Sequence, residues 1–83
     1  MITYYALLLR GTRREDPDGL ARRRIAEDGV HDEALHGDLA WHRTSVIVEW
    51  ERGESVDELV EVSAAEAGHQ AERLGRRWRA GPG

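Results

Sequence analysis

Cysteine, lysine, asparagine and phenylalanine are all absent from this 83-residue sequence. Without cysteine there is no disulfide and no thiolate ligand for zinc, so two common reinforcements of very small domains are excluded. The absence also fits a reducing compartment, and we therefore expect a cytoplasmic protein. All twelve basic residues are arginine, which a GC-rich coding sequence explains most simply.

Long apolar runs are missing as well. The longest, from Ala6 to Leu9, is far below the roughly 18 residues that a membrane-spanning helix needs. No basic stretch precedes an apolar one near Met1, so the sequence contains no recognisable secretion signal. We expect a soluble protein with no membrane partner.

Length and charge limit the fold and its partners. A chain this short buries only about 60 to 65% of the surface that its unfolded form exposes, so its stability is marginal. We assign residues 1–80 to one domain and residues 81–83 to a disordered tail. Residues 31–62 contain nine acids and two arginines, and the whole chain has a net charge of −4. Nucleic acid is therefore not an expected partner, because phosphate backbones select concentrated positive charge.

Apolar stretches separated by turn residues predict a short antiparallel sheet. The stretch from Ile2 to Arg10 contains two tyrosines and three leucines and no chain breaker, which is typical of a strand. Turn chemistry at Glu15–Gly19 and again at Asp28-Gly29 separates it from further segments of the same kind. These segments are Leu20–Ala26, Val30–Leu35 and Leu59–Val62. We predict a three- or four-stranded antiparallel meander.

The clearest local signal is the start of a C-terminal helix. Ser63 and Glu66 have the spacing of a capping box, in which each side chain bonds the backbone amide of the other residue. An apolar stripe follows at helical spacing: Ala67, Ala71, Leu74 and Trp78. The sequence therefore predicts an amphipathic helix that ends near Arg79 and packs on one face of the sheet, which makes the fold class α+β.

Residues 45–52 are ambiguous between strand and helix. Val46, Val48 and Trp50 alternate with a period of two, which favours a strand. Thr44 as a cap and Gly53 as a stop would instead frame a helix of two turns. We prefer the interpretation as a second short helix.

The first strand suggests an interaction surface. Tyr5, Leu7 and Leu9 share one face of it, and the C-terminal helix can cover only the other. An exposed apolar strip of that size favours association. We therefore predict a non-enzymatic protein–protein interaction module or small accessory subunit, homodimeric, whose partner is itself or another protein.

Three consecutive arginines, Arg22, Arg23 and Arg24, are the most unusual local feature. Arg22 and Arg24 would share one face of a strand and Arg23 the other. With Arg10, Arg13 and Arg14 across the hairpin they could form a ridge that binds phosphate or nucleic acid, and this is the alternative function. The preferred interpretation is that they form surface ion pairs with Glu33, Glu49 or Glu61, worth at most about 1 kcal/mol each.

No constellation in the sequence indicates a reaction. The histidines lie at 31, 36, 42 and 69, and these separations do not match the usual spacing of metal-binding pairs. Neither a nucleophile elbow nor a phosphate-binding loop is present. We assign no catalytic residue, metal ligand or cofactor. A small metal-dependent enzyme that uses His36 or His42 with nearby acids is kept as the second alternative.

Several short motifs resemble a family of short uncharacterised proteins common in GC-rich actinobacteria. The motifs that carry the likeness are Tyr4-Tyr5-Ala6-Leu7, Asp16-Pro17-Asp18-Gly19-Leu20, Asp38-Leu39-Ala40-Trp41, Glu49-Trp50-Glu51-Arg52-Gly53 and Leu59-Val60-Glu61-Val62-Ser63. They span nearly the full length and are architectural, so the resemblance implies a shared fold and assigns no function to these positions.

Overall fold

A computed structural model describes residues 1–9, 13–55 and 57–79. In chain order its elements are β1 (Ile2–Leu8), β2 (Gly19–Ala26), β3 (Gly29–Leu35), β4 (Trp41–Arg43), α1 (Val46–Glu51), β5 (Glu58–Val62) and α2 (Ala64–Arg79). The strands form one antiparallel sheet in the order β4-β3-β2-β1-β5. The predicted α+β class, with a C-terminal helix on an antiparallel sheet, is confirmed.

The sheet has one or two more strands than the sequence indicates. β4 contains only three residues, too few for an alternating pattern to be recognised. β1 to β4 form a meander, but β5 returns to the other side and pairs with β1. β1 is therefore a central strand, as its apolar residues on both faces require. The predicted end of this strand at Arg10 and the predicted tail 81–83 lie outside the described residues.

One face of the sheet, which we call the α2 face, is covered by the C-terminal helix. Ala67 of α2 is buried with Ala6, Leu8 and Val62 of the sheet. The helix begins as predicted, because the amide of Glu66 donates to Ser63 Oγ at 3.1 Å. The other half of the predicted capping box is not formed: the Glu66 carboxylate accepts hydrogen bonds from Arg14 instead.

The opposite face, which we call the α1 face, is covered by the short helix. Ile47 is fully buried against Ala21 and Leu59, and the side chains of Tyr5 and Leu7 pack around this cluster. The preferred assignment of residues 45–52 to a helix is thus correct. Six residues are too few to be a stable helix alone, so this helix depends on its contact with the sheet.

The ends of α1 follow local backbone chemistry. The residue at its N-cap is Ser45, whose side chain makes no capping bond, and Thr44 Oγ1 accepts the amide of Val46 at 3.2 Å instead. Gly53, which follows the C-terminal end of α1, has φ of +72°. Glycine adopts this conformation without steric strain. Among the helices in the described part of the chain, none is long and apolar enough to cross a membrane.

Candidate interaction surface

Three apolar side chains lie side by side at the end of the sheet where β1 begins. Ile25 pairs with Val30 across β2 and β3, and the Ile25 amide donates to the carbonyl oxygen of Met1 at 2.9 Å. Directly opposite residues point to the same face, so these three side chains form one row on the α1 face. Met1 is 86% exposed, Ile25 50% and Val30 58%. We call Met1, Ile25 and Val30 the apolar row.

An ion-pair cluster separates the apolar row from α1. The guanidinium of Arg23 donates to Asp32 at 2.8 and 3.0 Å and to Glu51, the last residue of α1, at 3.0 Å twice. The hydrogen bonds that Arg23 donates to Asp32 and Glu51 raise the pKa of Arg23 above its ordinary value, and the same hydrogen bonds lower the pKa of Glu51. The row is therefore an apolar surface bordered by charge, a pattern typical of interaction sites.

The apolar row ends at an open edge of the sheet. β4 pairs with β3 only from Glu33 to Leu35, and the amide of Thr44 donates to the Asp32 carbonyl at 3.0 Å. The backbone groups of Asp32 therefore point toward the β4 side, and so do those of Val30, two residues earlier. No described strand lies beside Val30 there.

A notch marks the place where β4 stops. It has a volume of about 320 Å³ and is lined by Val30, His31, Asp32, Glu33, Arg43 and Thr44. One side of the notch is the open edge of β3, and its other side is the end of β4. A segment of extended chain is the kind of group that such a space beside an edge strand accommodates.

The predicted interaction residues do not form one exposed strip. Tyr5 and Leu7 lie half-buried beside α1, and the Tyr5 ring centroid is 6.1 Å from that of Trp50. Burial raises the pKa of Tyr5. Leu9 is 44% exposed, but it follows β1 at the end of the strand opposite to Met1. The three residues differ in exposure because α1 covers Tyr5 and Leu7. The strand pattern alone would leave this part of the face open.

Arg22 and Arg24 lie on the α2 face and bind the same carboxylate. Their Nε atoms donate to Glu33 Oε1 at 2.9 and 3.0 Å, and these hydrogen bonds, chiefly the one from Arg24, lower the pKa of Glu33. The guanidinium carbon of Arg22 also lies 4.3 Å from the centre of the Trp41 ring. The predicted alternation is correct, with Arg23 on the other face.

The predicted acid partners of the arginines are correct only in part. Glu33 binds Arg22 and Arg24, whereas Arg23 uses Asp32 and Glu51. Of the arginines expected across the hairpin, Arg14 pairs with Glu66 and Arg10 lies outside the described residues. Each of the three consecutive arginines therefore already contacts a carboxylate, with which an incoming phosphate would have to compete.

Two of the histidines lie close together on the loop that joins β3 to β4 and on β4 itself. The ring centroids of His36 and His42 are 4.3 Å apart, and His42 Nε2 is 2.8 Å from Asp38 Oδ2. His31 is separate and contacts Asp28 at 2.9 Å. Within the described ranges, no three side chains of His, Asp or Glu are grouped so that they could hold a metal ion.

The apolar row is not among the surfaces that the sequence predicts. The Asp28-Gly29 turn is recognisable in the sequence, and a hairpin around it places Ile25 opposite Val30. The sequence therefore does indicate that these two side chains are neighbours. What the sequence does not show is that both helices lie away from this end of the sheet.

Comparison of the chain with protein-family models, curated proteins and solved structures gives no match. The resemblance to the actinobacterial family stays a prediction, and the interpretation of the surface depends on its own geometry.

Proposed function

We propose that the protein is a non-enzymatic interaction module that binds a second copy of itself through the apolar row. The observation that supports the proposal is the exposure of Met1, Ile25 and Val30 together on one face, beyond the reach of both helices. Burial of these apolar side chains against another apolar surface is favourable, because it removes them from water. From the absence of cysteine we also propose a cytoplasmic location.

The size of the surface decides how strong the association is. Three side chains offer roughly a few hundred Å² of apolar area, whereas a standard interface buries about 800 Å² on each partner. We therefore expect a reversible dimer that forms in the micromolar range or above, at about 10 to 100 μM. A permanent dimer would need a larger and more apolar surface.

Sedimentation velocity over a range of concentrations tests the proposal. The sedimentation coefficient of the wild-type chain should rise between about 1 μM and about 1 mM. Ile25→Thr removes apolar area from the row and keeps a residue that favours strands, so it should weaken the dimer at least several-fold. Leu9→Thr is the matched control, because Leu9 is exposed to a similar degree at the other end of β1.

A monomer at every concentration would overturn the proposal. The same conclusion would follow if Leu9→Thr abolished association and Ile25→Thr left it intact. Circular dichroism and thermal unfolding of both variants would show that each is folded, so that loss of the dimer reflects loss of surface.

A further inference from the structure

We infer that a groove between α2 and the β3–β4 hairpin binds a small organic acid with an apolar body. The groove has a volume of about 310 Å³, which is within the range of small-molecule sites in proteins. It lies on the α2 face, so it is separate from the apolar row and from the proposed self-association. Most of its lining is apolar: Leu35, Leu39 and Trp41 from the hairpin, and Gly68, Ala71 and Gly75 from α2.

The groove exists because large side chains on the sheet face small ones on the helix. Leu35 and Trp41 are directly opposite each other on β3 and β4, so both side chains project to the same face. On α2, a Cβ atom added to Gly68 would meet no atom within 4 Å. Space therefore remains between the helix and these two side chains, and an apolar group placed there would be removed from water.

The Trp41 wall is held in place within the chain itself. The guanidinium carbon of Arg22 lies 4.3 Å from the centre of the Trp41 ring, and the Tyr4 ring centroid is 6.1 Å from that of Trp41. These contacts fix the indole without any ligand. Binding therefore does not have to order this wall, which reduces its cost.

The length of the groove limits the size of the ligand. Leu39 lies over Gly75 and bounds the groove there. Gly68 and Gly75 are roughly two turns apart on α2, which is about 10 Å along the helix axis. A chain of about eight carbon atoms, or a single aromatic ring with a short side chain, fits a groove of this length and volume.

A guanidinium group at the edge of the groove determines the charge of the ligand. Arg79 lines the groove, and its Nε donates to the carbonyl oxygen of Gly75 at 3.2 Å. A Cβ atom added to Gly75 would lie 3.8 Å from Arg79 Nη2, so the guanidinium is close to the groove floor. None of the ion pairs between described residues includes Arg79. Its terminal nitrogens are therefore available to a carboxylate.

The other charged residue at the edge, Glu72, already has a partner. Its Oε1 atom is 3.9 Å from Arg76 Nη2, and both side chains are largely exposed. A cationic ligand would compete with Arg76 for Glu72, whereas an anion at Arg79 displaces no carboxylate of the described residues. Charge complementarity therefore favours a carboxylate as the polar end of the ligand.

Titration with octanoate, at concentrations too low for micelles to form, tests the inference. Isothermal titration calorimetry should show one site with a Kd of about 0.1 to 1 mM. In nitrogen–proton correlation spectra, the indole N–H of Trp41 and the amides of Gly68 and Gly75 should shift. The indole of Trp50, which belongs to α1 on the opposite face, is the internal control and should not shift. No binding at millimolar octanoate, or shifts confined to the α1 face, would overturn the inference.

Gly68→Leu tests the groove by filling it. The leucine side chain would occupy the space beside Gly68, and octanoate binding should weaken by about ten-fold or more. Leucine also favours a helix over glycine, so the variant should be at least as stable as the wild type. His69→Leu is the matched control, because it adds the same side chain at the next, exposed position, which does not line the groove. Equal octanoate binding by Gly68→Leu and the wild type would contradict the inference.

Arg79→Gln tests the contact with the carboxylate. It should weaken octanoate binding by about three- to ten-fold and leave the binding of octanol, the uncharged analogue, unchanged. Arg76→Gln is the matched control, since Arg76 is a neighbouring arginine that does not line the groove, and it should have the smaller effect. If the two variants weaken octanoate binding equally, the attraction comes from overall charge and the assignment of the carboxylate to Arg79 is wrong.

The site and the proposed self-association can be distinguished in the same experiments. Ile25→Thr, which should weaken the dimer, changes a residue on the α1 face and should leave octanoate binding unchanged. If Ile25→Thr abolishes octanoate binding and Gly68→Leu does not, the acid binds the apolar row and the inference is overturned. Monomeric wild-type protein that binds octanoate in the groove would support the inference and contradict the proposed function.

Discussion

The side chain of Leu39 lies against the backbone of Gly75. A Cβ atom added to Gly75 would be 3.2 Å from Leu39 Cδ2 and 3.5 Å from Leu39 Cδ1. Leu39 has φ of +62°, in the left-handed region that branched residues rarely adopt, and its amide donates to the carbonyl of His36 at 2.8 Å. The contact attaches the loop between β3 and β4 to the C-terminal half of α2.

We expect Gly75→Ala to stabilise the protein by less than the full gain in helix propensity. Alanine in a helix interior is favoured over glycine by up to about 1 kcal/mol, but the new methyl group has to displace the end of the Leu39 side chain. Leu39 is 44% exposed, so its terminal methyls have room to move. Chemical denaturation of both proteins gives the difference in free energy of unfolding.

A second variant separates the two contributions. In the Leu39→Ala background the methyl group that Gly75→Ala introduces no longer meets the leucine side chain, so the substitution should there give the whole propensity gain. If the gain is the same in both backgrounds, the Leu39–Gly75 contact does not oppose the substitution and this explanation is wrong.

Asp32→Asn should destabilise the protein more than Glu51→Gln. Both carboxylates accept two hydrogen bonds from Arg23, but the Asp32 side chain is only 10% exposed and that of Glu51 is 47% exposed. Loss of a bond to a charged group at a largely buried site costs about 2 kcal/mol, whereas solvent screens the exposed partner. Thermal unfolding of the two variants should rank them in this order, and the opposite order would contradict the prediction.

Much of this fold can be predicted from local patterns. The strands at Leu20–Ala26 and Val30–Leu35 and the helix that starts after Ser63 are recognisable because turn residues or a cap mark their ends. β4 is not recognisable, since three residues contain no period. The return of β5 to the side of β1 is a long-range pairing and leaves no local signal.

The pKa of Glu33 makes stability depend on pH in the acid range. Hydrogen bonds from Arg24 and Arg22 hold this pKa below its ordinary value of 4.5, so the ionised carboxylate stabilises the fold above that pH. The contribution is lost as the pH falls from about 4.5 through the lowered pKa. Glu33→Gln should therefore show a shallower loss of stability below pH 4.5 than the wild type, as measured by urea unfolding at a series of pH values.

The matched control for this experiment is Glu61→Gln, which removes an exposed acid with no ion pair in the described residues. Its stability should follow the pH dependence of the wild type. If both variants change the loss of stability at acid pH equally, that pH dependence comes from overall charge. The ion pairs of Glu33 would then contribute nothing to it.

We expect the three consecutive arginines to bind phosphate groups weakly. Glu33 and Asp32 already occupy the guanidinium groups of Arg22, Arg23 and Arg24. Fluorescence anisotropy with a labelled single-stranded RNA at low ionic strength should show little binding by the wild type and more by Glu33→Gln. Tight wild-type binding that falls steeply with salt and is lost in Arg22→Glu with Arg24→Glu would favour the anion-binding alternative.

The candidate surface is harder to predict than the fold. A strand pattern shows which residues share a face, but it does not show how far a helix extends over that face. Tyr5 and Leu7 have the pattern of exposed apolar residues and lie beside α1, whereas Ile25 and Val30 lie beyond it. Only the packing of α1 distinguishes the two pairs.

The place of β1 between β2 and β5 affects how the protein is made. Tyr4 pairs with Val62, more than fifty residues later in the chain, and such distant contacts form slowly. On the ribosome, the meander from β1 to β4 emerges before β5 is available. Until β5 arrives, the outer edge of β1 is open to strands of other nascent chains, and this interval is when the protein is most prone to aggregate.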